Sequence, residues 1–570
     1  MDWKILIVIV VGLLIFGLFQ LCSGNEKVDW DKARIEQIDE KQKQQDVKEG
    51  EEKRKEKDVA LEKAREIQGE RPSEQTASLK TDDFRAVFSS RGGALRSFEL
   101  LDRQYMEIPM NWKSGVRGED TAKVVPVNMV TTNPDYELNS PLRFEIYEGL
   151  DGMLSETDYE IVAKTANTIT FRYAQPDQPV VILKKFELAK EESGPFQIWL
   201  TTQVTNVGDE TLSFMAGVTQ TGYQHQSEAG GGMFSRQPNL LSGLCKHGQD
   251  LYREPWNSDD AIKKFSGLNA IFAGVETNYF LSAMIPGDDS PTTCRAYADV
   301  KRDGEGTPLY GITRVQLRWG ETEIKPGESR VFKVKNYLGP KRYQLLQTIG
   351  CDLEESVDYG WFAPISRVLL WLLFAFQHMV INWGVAIILL TLVVKLVLLP
   401  LTHKSFKSSD RMKSLKPEVD KINEKYKDDA QEKQKQTMAL YKQHKVNPLG
   451  GCLPMLLQMP IWFALFRTLR ASPELYRAEF FGWIHDLSSP DPYYITPIVM
   501  GGMMFVQQLF MPMAGDNAQA KMLKYFMPIM FTAMMLFLPS GLTLYILVNT
   551  VLSILHQLVI QRMRAKAAKG

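Results

Sequence analysis

The stretch Ala386-Ile-Ile-Leu-Leu-Thr-Leu-Val-Val-Lys-Leu-Val-Leu-Leu-Pro-Leu-Thr402 decides what kind of chain this is. It is apolar enough to cross a bilayer, yet it carries Lys395 in its middle. A charge at the centre of a spanning helix costs roughly 2.5 to 3.5 kcal/mol. Lys395 stands nine residues after Ala386 and six before Leu401, too deep to reach either surface easily. No Asp or Glu occurs in any candidate span, so no ion pair inside the membrane offsets the charge. Polar residues are available instead: Thr391, Gln458, Gln507, Gln508, Thr532, Thr543, Asn549, Thr550, Ser553 and Gln557. Facing one another, several of them would hold water. A wet cavity open to one side would keep the lysine charged at tolerable cost; the alternatives are a neutral, desolvated lysine and one bonded to carbonyls.

Working outward, the candidate spans are residues 383–401, 452–470, 494–511, 525–538 and 542–560. Backbone satisfaction in lipid makes them helices. Pro539-Ser-Gly541 predicts a tight hairpin between the last two. Trp361 to Val380 is also apolar enough to span, but contains Arg367, Gln377 and His378. Loop charges choose its role. The loop 402–451 has 12 Lys/Arg against 7 Asp/Glu, and the tail adds Arg562, Arg564, Lys566 and Lys569. The loop 471–493 holds Arg477 against Glu474, Glu479, Asp486 and Asp491. With 361–380 lying flat on the outer surface as an amphipathic helix, the basic segments fall inside, as the positive-inside rule requires. A spanning 361–380 would invert every later loop. Ile5 to Leu21 supplies a further span, read as an uncleaved signal anchor in preference to a cleaved signal peptide. Six spans with both ends cytoplasmic result.

The 570-residue chain has a formal net charge of -1, an average over two unlike halves. Residues 23–80 are dominated by Glu, Lys, Gln, Asp and Arg and suit a solvated tether. From about Phe84 to Tyr343 short β-rich runs alternate with turns. Examples are Leu142–Tyr147, Thr168–Tyr173, Val180–Phe186, Phe196–Val204 and Val315–Trp319, with Asn206-Val-Gly-Asp209 and Lys325-Pro-Gly-Glu328 as punctuation. That pattern predicts a β-sandwich. Glu228-Ala-Gly-Gly-Gly-Met233 reads as a loop and Arg91-Gly-Gly93 as a tight turn rather than an anion site. Cys245 and Cys294 are able to pair if this domain is extracytoplasmic.

Inside the first basic loop, Met412, Leu415, Val419, Ile422 and Tyr426 form an apolar stripe on a charged helix. Asp428-Asp429 is a turn, and Gln431 to His444 a second helix with a weaker stripe, mainly Met438 and Tyr441. The pair reads as a loosely packed cytoplasmic hairpin, a flexible arm in preference to a solubilising loop. Pro454 and Pro460 favour an irregular third span.

No phosphate loop, dinucleotide fingerprint or zinc-ligand spacing occurs, and no basic nucleic-acid domain. Neither a cofactor nor a metal is expected. The histidines are scattered, which argues against an enzyme; paired midplane charges and inverted repeats are missing, which argues against a solute transporter. Met455, Leu456, Met459, Trp462, Phe463, Met534, Met535 and Phe537 offer an adaptable apolar surface, either bundle packing or a contact for varied chains. A positive pocket beside such a surface suits a polypeptide with a polar tail and an apolar segment.

Several motifs match a known family in order: Asn382-Trp-Gly384, Leu399-Pro-Leu-Thr402, Met438-Ala-Leu-Tyr441, Val446-Asn-Pro-Leu-Gly-Gly-Cys-Leu-Pro454, Gln458-Met-Pro-Ile461, Trp483-Ile-His-Asp-Leu487, Asp491-Pro-Tyr-Tyr494 and Phe537-Leu-Pro-Ser-Gly541. Over roughly residues 358–560 the chain resembles the YidC/Oxa/Alb membrane protein insertases, in the Gram-negative form with a periplasmic β domain. The resemblance implies a polytopic α-helical membrane protein with six transmembrane helices plus a large periplasmic all-β sandwich domain, in the inner membrane. It implies a hydrophilic groove of Lys395, Thr391, Gln458, Gln507, Gln508 and Thr532, beside a substrate slide of Met455, Met459, Phe463, Met534 and Phe537. Lys395 stands where family members usually carry arginine, so the bidentate fork is lost. Nascent membrane proteins, the Sec translocon, membrane lipids and, through the cytoplasmic loops and tail, the ribosome are the implied partners; nucleic acid is not. The expected divisions are 1–22 (anchor), 23–80 (linker), 81–345 (β domain), 346–382 (interfacial helix region), 383–560 (five-helix core with the hairpin 403–446) and 561–570 (basic tail).

Overall fold

In a computed structural model of the chain, the described residues are 73–107, 110–111, 116–117, 125–132, 140–148, 158–175, 178–226, 240–258, 263–265, 269–287, 292–304, 306–426, 429–444, 453–510 and 525–567. The expected anchor at 5–21, nearly all of the tether, the loop 228–233 and the Val446–Cys452 part of one motif lie outside them.

Alternation of apolar and polar residues dictates the β domain. In Val180–Leu188 every second residue, from Val180 to Phe186, points into the core, as the two-residue period of a strand requires. This strand belongs to a nine-stranded antiparallel sheet. Its order is Asp250–Pro255, Ser242–His247, Ala270–Glu276, Phe280–Pro286, Ser329–Pro340, Gln197–Asn206, Val180–Leu188, Thr168–Ala174 and Glu160–Lys164. A six-stranded sheet is built around Leu212–His225, Pro308–Trp319 and Thr292–Arg302. The two sheets share one core. Phe332 of the first packs on Trp319 and Phe144 of the second sheet, at ring separations of 4.8 and 5.6 Å. A Cys245–Cys294 disulfide joins the sheets, a bond that persists in an oxidising compartment. A three-stranded sheet begins at Thr76–Lys80, inside the stretch the sequence reads as linker.

The Arg91-Gly-Gly93 turn has a specific task. Gly92 and Gly93 adopt φ of +66° and +49°, which glycine tolerates without strain. Their carbonyls, with that of Leu142, accept hydrogen bonds from the buried Lys184 Nζ. The turn therefore holds the Lys184 amine rather than an anion, and burial pushes the Lys184 pKa down.

After the short helix α1 (Tyr343–Ile349) the chain turns helical. Helix α2 (Ala363–Val380) ends at Ile381 in the left-handed region. The Asn382 side chain then accepts from Val385 N at 3.0 Å and starts α3 (Trp383–Ser414). That helix does not stop at residue 401: it passes through Pro400 and carries the span 13 residues further, into the basic loop. Helices α4 (Lys416–Lys425) and α5 (Ala430–Gln443) follow, the latter capped by Asp429, which accepts from Gln431 N and Glu432 N. Leu415, Val419 and Tyr441, with Leu440, form the hairpin's small core. Met438 stays exposed.

Four more helices complete the described chain: α6 (Leu453–Ala471), α7 (Ile495–Phe510), α8 (Met527–Met535) and α9 (Ser540–Ala567). The turn at Pro539 forms as expected, but α8 and α9 diverge from it; each packs against α7 instead. Helix α9 also packs on α3 and α6. Among the described residues, three helical segments are long and apolar enough to cross a membrane: Gly360–Val380, Trp383–His403 and Ser540–Met563. The first sits between the β domain and the bundle. Leu370, with Ala363 and Phe374, packs into the β-domain core, whereas Leu369 and Leu373 pack into the bundle core.

Candidate functional site

Lys395 faces α9. Its Nζ donates to Asn549 Oδ1 at 3.2 Å and to Ser553 Oγ at 2.5 Å. Asn549 and Ser553 are four residues apart and so share one helix face. Both partners are neutral, and among the described residues no carboxylate lies within ion-pair distance of Lys395. No ion pair among the described residues therefore neutralises it.

The same face of α9 continues in both directions. One turn before Asn549, the Tyr545 hydroxyl accepts from Gln458 Nε2 of α6. Beyond Ser553, the His556 ring comes within 6.3 Å of His403 on α3, and Gln557 is buried. Residues 545, 549, 553 and 557 thus form a polar ladder along one face of α9. Asn549, Ser553 and Tyr545 are its central members. The first two stand among the chain's intramembrane polar residues, but only helix pairing singles them out. The four-residue spacing was the available signal.

The other expected groove residues are placed as follows. Thr391 is buried one turn before Lys395 and donates to the Ile387 carbonyl of its own helix. Thr532 on α8 likewise donates to the Pro528 carbonyl, and packs against Gly501 of α7. Gln507 and Gln508 are half-buried on α7. Among the described residues no hydrogen bond links Thr532, Gln507 or Gln508 to Lys395. The structure thus brings Lys395 together with α9, and Gln458 with that same face.

Of the slide residues, Met459 is exposed on α6, and Met534 and Phe537 are half-buried at the end of α8 and just after it. Phe463 stacks on Phe362 at 6.0 Å, next to the start of α2. The Met455 side chain lies outside the described residues. Exposed apolar residues are dense nearby: Leu392, Leu396 and Val397 on α3, Ile529 and Met530 on α8.

On the loop between α6 and α7, Tyr476 inserts into the β domain. Its ring stands 5.1 Å from Tyr279 and 5.6 Å from Phe280, and its hydroxyl donates to the Met106 carbonyl. Gln104 Nε2 donates to the carbonyls of Pro473, Glu474 and Tyr476. Beside them Glu474 faces Arg342 and Tyr105; burial pushes its carboxyl up to about 7. Asp491 organises the end of this loop, accepting from Trp483 Nε1, Tyr493 N and Thr496 N. Trp483 and Asp491, which belong to two different motifs, thus meet in the structure.

Two family models cover nearly all of this architecture. One described as "YidC periplasmic domain" matches residues 76–372, and one described as "60Kd inner membrane protein" matches residues 375–567. A membrane protein insertase YidC of Anaeromyxobacter dehalogenans (strain 2CP-C) is 36% identical over 504 residues, covering 86% of each chain. The chain belongs to the YidC family of membrane protein insertases. A second family member, from Geobacter sp. (strain M21), is 35% identical over 498 residues, covering 85% of each chain. A solved structure of an active YidC insertase is also similar, at 17% identity and a TM-score of 0.35, covering 85% of this chain and 92% of that one. As a YidC-type insertase and chaperone, the chain serves membrane protein biogenesis and is not an enzyme. Its β portion is the family's periplasmic domain. Among the described residues no group of three or more His, Cys, Asp or Glu is arranged to hold a metal.

Proposed function

We propose that the chain inserts nascent membrane proteins through a hydrophilic groove centred on Lys395, alone or alongside the Sec translocon. The observation that carries this reading is the pairing of Lys395 with two neutral groups, Asn549 and Ser553, in membrane-length helices. A cation without a carboxylate partner attracts a polar or acidic tail, and low surrounding dielectric strengthens the attraction. The tail enters the groove while the substrate's apolar segment slides along α6 and α8, past Met455, Met459, Phe463, Met534 and Phe537. Thr391, Gln458, Gln507, Gln508 and Thr532 line the path. Energy comes from transfer of the apolar segment into lipid. The membrane potential adds about 2.3 kcal/mol per charge per 100 mV for acidic residues moving outward.

The accompanying topology has six spans, both ends in the cytoplasm, the β domain outside, and α2 flat on the outer face of a Gram-negative inner membrane. In support, α2 has its apolar residues divided between the β-domain core and the bundle core. A helix crossing the bilayer would not keep a water-exposed β domain along most of its length. The hairpin of α4 and α5 then faces the ribosome together with the basic tail. The experiment is reconstitution: the purified chain alone, in proteoliposomes, receives a single-span protein with an acidic external tail. Protease protection of the translocated tail, increased by an imposed potential, is expected. Membrane-bound substrate whose tail stays outside the vesicle would leave the chain an assembly chaperone without translocating activity.

A further inference from the structure

Where the β domain meets α2, a cavity of about 310 Å³ opens beside Asp358, Tyr359 and Gly360. Among the described residues, two of its charged groups have no ion-pair partner. Arg367 lies 5.5 Å over the Tyr343 ring, and among the described residues no carboxylate comes within ion-pair distance of it. The Glu354 Oε2 is buried and has no hydrogen-bond partner among the described residues. The neighbouring charges are committed elsewhere. Arg253 is held by Glu276 and by the carbonyls of Glu355 and Ser356, and Glu355 binds Lys246. Asp358 accepts from Gly360 N and pairs with Arg467 at 3.7 Å.

One cavity is thus lined by a guanidinium and a carboxylate that do not neutralise each other. The helix that borders this polar lining carries exposed apolar residues. Trp361 is 83% exposed, and Val368 and Trp371 stand exposed along α2. Tryptophan beside arginine is the side-chain pattern of the headgroup layer, where the ring meets acyl chains and the guanidinium meets phosphate. Arginine grips phosphate through paired N–H donors, and a carboxylate takes an ammonium.

We propose that this cavity binds the zwitterionic headgroup of an outer-leaflet phosphatidylethanolamine, its phosphate on Arg367 and its ammonium on Glu354. The inference rests on the reading that puts α2 at the outer membrane surface. A lipid held there would seal the joint between the β domain and the bundle.

The test is native mass spectrometry of the full chain in detergent, titrated with phosphatidylethanolamine or phosphatidylglycerol of the same acyl chains. Wild type should retain phosphatidylethanolamine at least tenfold more tightly. Arg367→Gln should weaken it tenfold or more, and Glu354→Gln should abolish the preference between the two lipids. Equal retention of both lipids by wild type, or no change in either variant, would overturn the proposal. So would displacement of the lipid by free phosphoethanolamine at equal concentration, which would mark a site for a soluble ligand. A second arm separates the underlying topology. In vesicles of phosphatidylethanolamine brominated on its acyl chains, the emission lost on Trp361→Phe should be strongly quenched. Quenching without lipid selectivity rejects the headgroup site alone; an unquenched Trp361 rejects the placement of α2, and with it the site.

Discussion

Replacing Glu474 with glutamine should remove a pH dependence from the joint between the β domain and the membrane core. Glu474 sits on the outer loop beneath Gln104, facing Arg342, Tyr105, Tyr337 and Tyr359. Burial raises its carboxyl from the ordinary 4.5 to about 7, with Arg342 offsetting part of the effect. A group whose docked value lies above its free value binds its proton more tightly when docked. The stabilisation is thus complete below about 4.5 and is lost as pH rises through about 7. Across the whole window the difference is on the order of 3 kcal/mol. Between pH 6 and 8 the docking equilibrium should weaken about tenfold, or about 1.3 kcal/mol. The assay is amide hydrogen exchange on residues 102–107 and 471–478 of the full chain, corrected for intrinsic rates. Wild type should lose protection about tenfold from pH 6 to pH 8, and Glu474→Gln should hold its protection throughout. Flat protection in wild type, or the same pH dependence in the glutamine variant, would refute the reasoning.

Lys395→Met removes two charge-assisted hydrogen bonds of about 1.5–3 kcal/mol each, but lifts a burial cost of about 2.5–3.5 kcal/mol. The two bonds together outweigh that cost by at most about 3.5 kcal/mol, so the unfolding temperature in detergent should fall modestly, while insertion of an acidic-tailed substrate falls at least tenfold; Lys395→Arg should retain insertion. Reducing Cys245–Cys294, or replacing both with serine, opens a loop with a sequence separation of 49 residues. It should cost the β domain about 4 kcal/mol in denaturant titrations. Gly384→Ala would set a methyl 1.9 Å from Phe480 Cδ2. Displacing that ring should lower stability by about 1–3 kcal/mol, read as a drop in unfolding temperature.

Much of this fold is visible in residue patterning, and what is hidden has identifiable causes. The strands at 168–174, 180–188 and 197–206 announce themselves because each buries one face, so alternation survives in the sequence. Helix α3 is harder to delimit. Hydropathy ends the span near residue 401, but nothing in the basic loop breaks the hydrogen-bond ladder, and the helix continues to Ser414. The divergence of α8 from α9 was not legible, since a Pro-Ser-Gly turn fixes that the chain reverses, not the angle at which it leaves. Lys395 is conspicuous in any reading, because a charge among aliphatic residues stands out. Its partners are less so: Asn549 and Ser553 are two polar residues among many until α3 and α9 are known to touch. The Arg367 and Glu354 cavity is assembled from residues in separate elements, and no local spacing reveals it.

The groove itself is tested most directly by a photo-crosslinking residue at Gln458, which lies against the polar face of α9. The chain would engage a translation-stalled single-span protein with an acidic external tail. The account predicts crosslinks to that tail during stalling, and their loss once the nascent chain is released and inserted. Crosslinks confined to lipid or neighbouring helices, with insertion still efficient, would contradict it and leave Lys395 a structural residue.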